Sequence, residues 1–117
     1  MTDDRSNNQV FLMGRVSADP EERVLPSGDT VVSFRLIVPR TAAALRRSKQ
    51  PIDTFECSVW GAVLRRSARR LTAGAEVEVS GELRRRFSRS SGGPVSWVTV
   101  DVDSCKKVAT PAVTSTS

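Results

Sequence analysis

Two tryptophans and a dense set of arginines are the side chains of this 117-residue sequence best suited to chemistry, and that chemistry is recognition. Trp60 shares its alternation parity with Thr54, Glu56 and Ser58, so its indole points away from the apolar side of its strand. Trp97 has the same outward parity, in step with Thr99, Asp101 and Asp103. An outward ring offers a flat π face to another planar group. The neighbouring guanidinium forks of Arg84, Arg86 and Arg89 match the geometry of phosphate or carboxylate oxygens. Phe87 has inward parity, but it lies where strand twist weakens that rule, so it is kept as a third stacking ring. The plain alternative for each ring is packing in a subunit interface or beneath a loop.

Catalytic readings fail on residue types. There is no histidine, so the commonest general base near neutral pH and the commonest metal ligand are both missing. The carboxylates of Asp19, Glu21 and Glu22 fall in a turn-like segment, and those of Glu76, Glu78 and Glu82 share one outward strand face; both sets read as solvated charge. Ser91-Gly92-Gly93-Pro94 is too short for a phosphate-binding loop, lacks its Lys-Ser/Thr ending and precedes a strand. Cys57 and Cys105 have neither the second nearby cysteine nor the histidine of a zinc site, and read as small, mostly buried hydrophobes rather than a bridge or a redox pair. No metal, cofactor or catalytic residue is expected.

Charge names the kind of partner. The net charge is +5, and thirteen basic against five acidic residues lie between Arg35 and Arg89, while the remainder carries five basic and eight acidic. Positive charge gathered in the middle of a domain favours an anionic partner. No apolar run approaches the ~18 residues that span a membrane. The polar, acidic start Met1-Thr2-Asp3-Asp4 carries no export signal, so the expectation is a cytoplasmic protein with both cysteines reduced.

These side chains need a scaffold, and alternation of apolar and polar residues predicts five strands. Val10, Leu12, Gly14 and Val16 share a face in the first, which stops at Asp19-Pro20. Val32, Phe34, Leu36 and Val38 mark the second, ended by Pro39. Residues 40–52 read as a mobile basic loop. The third strand, Asp53 to Trp60, turns Phe55, Cys57 and Val59 inward. After Gly61 the spacing of Leu64, Ala68 and Leu71 changes to i, i+4, i+7, the stripe of a short helix ending near Gly74, with Arg65, Arg66, Arg69 and Arg70 on its other side. Val77, Val79, Gly81 and Leu83 define the fourth strand, with Gly81 marking a bend or bulge. Ser88 to Ser96 reads as a hairpin tip, and Val98, Val100 and Val102 as the inward side of the fifth.

Three strands, a helix and a two-strand hairpin are the order of an all-β, five-stranded OB-fold barrel with one short helix between strands three and four. One helix cannot cover a flat five-stranded sheet, so closing the sheet on itself is the simplest way to bury its apolar face. Residues 1–7 are expected to be a flexible N-terminus, 8–109 the barrel domain and 110–117 a disordered tail.

Taken in order, Asn8-Gln9-Val10-Phe11-Leu12-Met13-Gly14-Arg15-Val16, Asp19-Pro20-Glu21, Arg23, Gly28, Phe34-Arg35-Leu36, Cys57-Ser58-Val59-Trp60-Gly61, Leu71, Gly74 and Gly81-Glu82-Leu83-Arg84 resemble the bacterial single-stranded DNA-binding proteins. Each fragment is weak alone; the combination, from about Asn8 to Val102, is specific. The resemblance implies a homotetramer that wraps single-stranded DNA without sequence preference in replication, recombination and repair, with neither catalysis nor metal. Trp60 falls where the family has a base-contacting aromatic, and Arg84 and Arg86 match basic positions on the fourth strand. Arg15 and Arg35, in matched segments, and Arg40, at the head of the basic loop, complete the expected phosphate contacts.

The sequence also departs from that pattern. Thr54 stands where the family carries an aromatic, with Phe55 one place later, and Ser88 stands where another is usual, with Phe87 one place earlier. The acidic tip through which typical members recruit repair enzymes is expected to be absent, since a neutral stub ends at Thr116-Ser117. Two rival functions come with the fold: a protein-contact subunit of a replication-restart assembly, and an RNA binder.

Overall fold

The computed structural model describes residues 6–108. The expected tail at 110–117, and all but residues 6 and 7 of the expected flexible N-terminus, lie outside them. Strands β1 (Val10–Val16), β2 (Glu21–Val24), β3 (Thr30–Pro39), β4 (Ile52–Val59), β5 (Glu76–Ser90) and β6 (Gly93–Lys107) are joined by helices α1 (Ala42–Leu45) and α2 (Ala62–Arg69).

The strands pair in the order β1-β5-β6-β4-β3-β2, and β1 also pairs with β3. That last contact, Arg15 opposite Ile37 and Val16 opposite Leu36, turns the five expected strands into a ring. Only β4 and β6 run parallel, Cys57 beside Val100 and Ser58 beside Asp101. Inward parity then builds one core: Val16, Val32, Phe34, Leu36, Cys57, Val59, Val77, Val79, Val100 and Val102 are buried together, with Ala68 and Leu71 closing one end from α2 and just beyond it.

Two glycines let the ring close. A methyl group on Gly14 would strike the carbonyl oxygen of Ile37 across the β1–β3 junction, and one on Gly81 would strike that of Asp101. At Gly81 the β5–β6 ladder also changes register, from Ser80 opposite Ser104 to Gly81 opposite Val102. The ladder skips Asp103, which makes the expected bulge real and bends the sheet there.

The structure corrects several expectations. A sixth strand, β2, lies antiparallel on β3; its four side chains are all exposed, so it carries no alternation to read. The basic loop at 40–52 contains a second helix, α1, whose N-cap Thr41 accepts from the Ala44 N–H at 3.2 Å, and its last residue, Ile52, already belongs to β4. The expected tip from Ser88 to Ser96 is almost all strand: β5 and β6 run 15 residues each and only Ser91 and Gly92 lie between them. Much of this hairpin projects past the ring. Leu83 and Val98, expected inside, are therefore 44% and 43% exposed, because no barrel wall faces them. Thr99, expected outside, is buried.

Candidate nucleic-acid interface

The outer sides of β2, β3, β4, β6 and β5 share a recess of about 370 Å³, lined by Arg23, Leu25, Val31, Ser33, Glu56, Ser58, Trp60, Arg86, Trp97 and Thr99. That volume is within the range of small-molecule sites. Both tryptophans line it, and β-pairing explains why: Trp97 stands opposite Arg86 in the hairpin, and Trp60 follows directly on β4. Trp60 is anchored through its main chain. One nitrogen of Arg65, Nη1, donates to the Trp60 carbonyl at 2.7 Å and to that of Thr30 at 3.0 Å, so α2 staples the end of β4 to the start of β3. Arg65 is thus a structural residue, and Arg69 of the same helix pairs with Glu22 at 2.7 Å.

Asp101 stands behind the recess and holds two of its lining residues, Arg86 and Trp60. Its Oδ1 accepts from Arg86 Nη2 at 2.7 Å and from the Trp60 indole N–H at 3.4 Å. Its Oδ2 accepts from Arg84 Nε at 3.2 Å, and Arg84 Nη2 reaches Glu82 at 2.9 Å. The Arg86 guanidinium consequently lies 5.5 Å from the centroid of the Trp60 ring, a cation–π contact. Hydrogen bonding to Asp101 raises the Arg84 pKa further above its ordinary value.

The other cations are held differently. Arg40 makes a two-pronged contact with Asp53 at 2.8 and 3.1 Å, and that bond holds the Asp53 carboxyl below its usual range. Arg35 touches Glu56 at the outer limit, 3.5 Å. Arg15 and Arg23 have no carboxylate partner among the described residues. In the recess, Val31, Ser58 and Thr99 are buried, and Thr99 is 4% exposed with its Oγ1 lacking a hydrogen-bond partner among the described residues.

Stacking surfaces, an unsatisfied hydroxyl and guanidinium groups around one open recess suit a planar, anionic polymer. A family model described as the single-strand binding protein family matches residues 7–108. The chain belongs to this family. Among relatives, the single-stranded DNA-binding protein 2 of Listeria innocua is 33% identical over 92 residues, covering 79% of this chain and 57% of that protein. The single-stranded DNA-binding protein 1 of Synechocystis is 29% identical over 100 residues, covering 84% of this chain and 80% of that one. Single-stranded DNA-binding protein A of Bacillus subtilis is 33% identical over 92 residues, and the match covers 53% of it. The chain thus spans little more than half the length of several relatives it matches. Among solved structures, the Plasmodium falciparum SSB complex with ssDNA superposes with a TM-score of 0.75 over 92% of this chain and all of that one, at 20% identity. That likeness shows the fold, which is OB-like.

In this family member, the residues expected from sequence separate into groups. Trp60, Trp97 and Arg86 converge on the recess, and Arg84 joins them through Asp101. Arg35 lines a neighbouring hollow with Asp19 and Glu21, which shares Ser33 and Glu56 with the recess, and it pairs with Glu56. Arg40 and Arg15 each line other hollows, Arg40 beside α1 and Arg15 beside Met13 and Glu76. Phe87 stands on the opposite face of the hairpin from Trp97, one residue out of phase with Arg86, and is 75% exposed. Sequence reasoning missed Arg23 and Thr99 as parts of the recess, and Asp101 as the carboxylate that holds Arg86 and the Trp60 indole beside it. Arg23 sat in a stretch without periodicity, and the outward parity of Asp101 and Thr99 was the one signal available.

Proposed function

We propose that this chain binds single-stranded DNA without sequence preference and shields it during replication, recombination or repair. One observation carries the reading: Trp60 and Trp97, the two tryptophans of the chain, open onto the same outward recess together with Arg86. Bases stack on the rings and the phosphates run past cationic side chains, with no bond made or broken. Membership of the single-strand binding protein family supports it, as does the fold shared with the Plasmodium falciparum SSB complex with ssDNA. The working form is a cytoplasmic homotetramer. Phe11 and Met13, 64% and 51% exposed on the outer face of β1, supply apolar surface of the kind subunits cover.

The test is titration with a dT oligonucleotide at low salt, following tryptophan fluorescence. Quenching is expected, and an unquenched signal at micromolar oligonucleotide overturns the reading in favour of a protein-contact module. A matched RNA oligomer is expected to bind more weakly; equal or tighter binding makes the chain an RNA binder. Mass in solution, with and without a long oligomer, checks the tetramer.

A further inference from the structure

Two cations line the Trp60–Trp97 recess, Arg23 and Arg86, and they differ in what already holds them. Arg86 is gripped by Asp101 at 2.7 Å and laid against the Trp60 ring. Asp101 also takes Arg84 and the Trp60 indole N–H, on a side chain only 21% exposed. Drawing Arg86 onto a phosphate would leave a mostly enclosed carboxylate short of a partner and beside an incoming like charge. Separating such a pair costs far more than separating an exposed one. Arg84 is bound twice over, by Asp101 and by Glu82.

Arg23 has no such tie among the described residues and is exposed. It projects from β2, opposite Val31, and β2 is separated from the Asp101 strand by β3 and β4. Positive charge that no neighbouring carboxylate answers therefore enters the recess from the β2 side. Glu56 and Asp101 place negative charge on the β4 and β6 side.

We propose that Arg23 is the phosphate-contacting cation of this recess, and that Arg84 and Arg86 are positioning residues, locked by Asp101 to orient Trp60. Arg86 covers one face of Trp60, the base takes the other, and the phosphodiester follows β2. This rests on the reading of the chain as a binder of single-stranded DNA, and the experiment separates the two.

The measurement is the affinity of the full chain for a dT oligomer across a salt series. Absence of binding by the unaltered protein defeats the parent reading. Given binding, Arg23→Gln is expected to lower the slope of log affinity against log salt by about 0.7, one phosphate contact on a single strand. Arg86→Gln is expected to lower affinity while leaving that slope in place. Asp101→Asn is expected to steepen it by about 0.7, as Arg86 becomes free for phosphate while Glu82 still holds Arg84. An unchanged slope in Arg23→Gln, a reduced slope in Arg86→Gln, or an unchanged slope in Asp101→Asn overturns the assignment. Arg23 is exposed on an edge strand, so its variant stays folded and the comparison holds.

Discussion

The guanidinium of Arg86 lies 5.5 Å from the centroid of the Trp60 ring, on a side chain that Asp101 grips at 2.7 Å. Trp60 is oriented by these contacts, yet it is no part of the buried core. Trp60→Ala is therefore expected to weaken dT binding by about 1–3 kcal/mol while the urea midpoint stays near that of the parent. Trp97 fluorescence reports both quantities. A variant that no longer folds would assign the ring to the core instead.

Phe87 tests the two faces of the hairpin. It is 75% exposed and stands on the face that continues the barrel interior, opposite to Trp97. Phe87→Ala is expected to change stability by no more than about 0.5 kcal/mol, as for surface positions generally. Affinity for a dT oligomer of about 4 nucleotides, near the smallest OB-fold site size, should also be unchanged. Any loss is expected only with oligomers long enough to round the hairpin. Weakened binding of the short oligomer would show that Phe87 shares the recess after all.

Gly81 links the fold to the site. A side-chain carbon there would strike the backbone carbonyl of Asp101, the residue that holds Arg84 and Arg86. Gly81→Ala is expected to destabilise the protein by about 1–3 kcal/mol, the range for overpacking, and to lower dT affinity in the fraction that remains folded. Urea denaturation and titration below the transition give the two effects separately. Unchanged stability would mean that the sheet closes without this close approach.

Burial pushes the Cys57 thiol up to about 12, with smaller contributions from Cys105 and Glu56. The folded protein should thus resist iodoacetamide at Cys57 at pH 8, and react there once unfolded in urea. In an unfolded chain a cysteine releases its proton near pH 8.5, at roughly its ordinary value. Its contribution to stability is then complete below that pH and declines as pH rises toward 12, because the unfolded state alone gains from releasing the proton. The urea midpoint, followed from pH 7 to about pH 11 across that interval, should fall more steeply in the parent than in Cys57→Ala. Parallel curves would exclude the linkage.

Strands with one covered face were legible in the sequence. β1, β3 and β4 show a two-residue period because each has the core on one side, and Val32, Phe34, Leu36, Cys57 and Val59 are buried as their parity requires, while Val31 and Ser58 are buried on the other side, in the recess. α2 was legible from Leu64, Ala68 and Leu71 for the same reason. β2 was invisible because none of Glu21, Glu22, Arg23 and Val24 is covered. The hairpin misled in another way. Its parity persists beyond the ring, so Leu83 and Val98 keep the inward side where nothing encloses them. Thr99 is buried on the outer side, in the recess that β2 and β3 help to form.

By itself the sequence determined that a small closed sheet forms, that Trp60 and Trp97 stand outside it, and that positive charge gathers in the middle of the chain, between Arg35 and Arg89. Those are local properties, written in a two-residue period and in residue counts. Only the tertiary structure decided which carboxylate meets which guanidinium. Asp101 and Arg86, 15 residues apart, are brought together by the β5–β6 register and the Gly81 bulge. Arg23 reaches the recess of Trp60 because β2 adds to the edge of β3. Ion pairing depends on which strands become neighbours and in what register, and ring closure sets both without leaving a periodic trace in the chain.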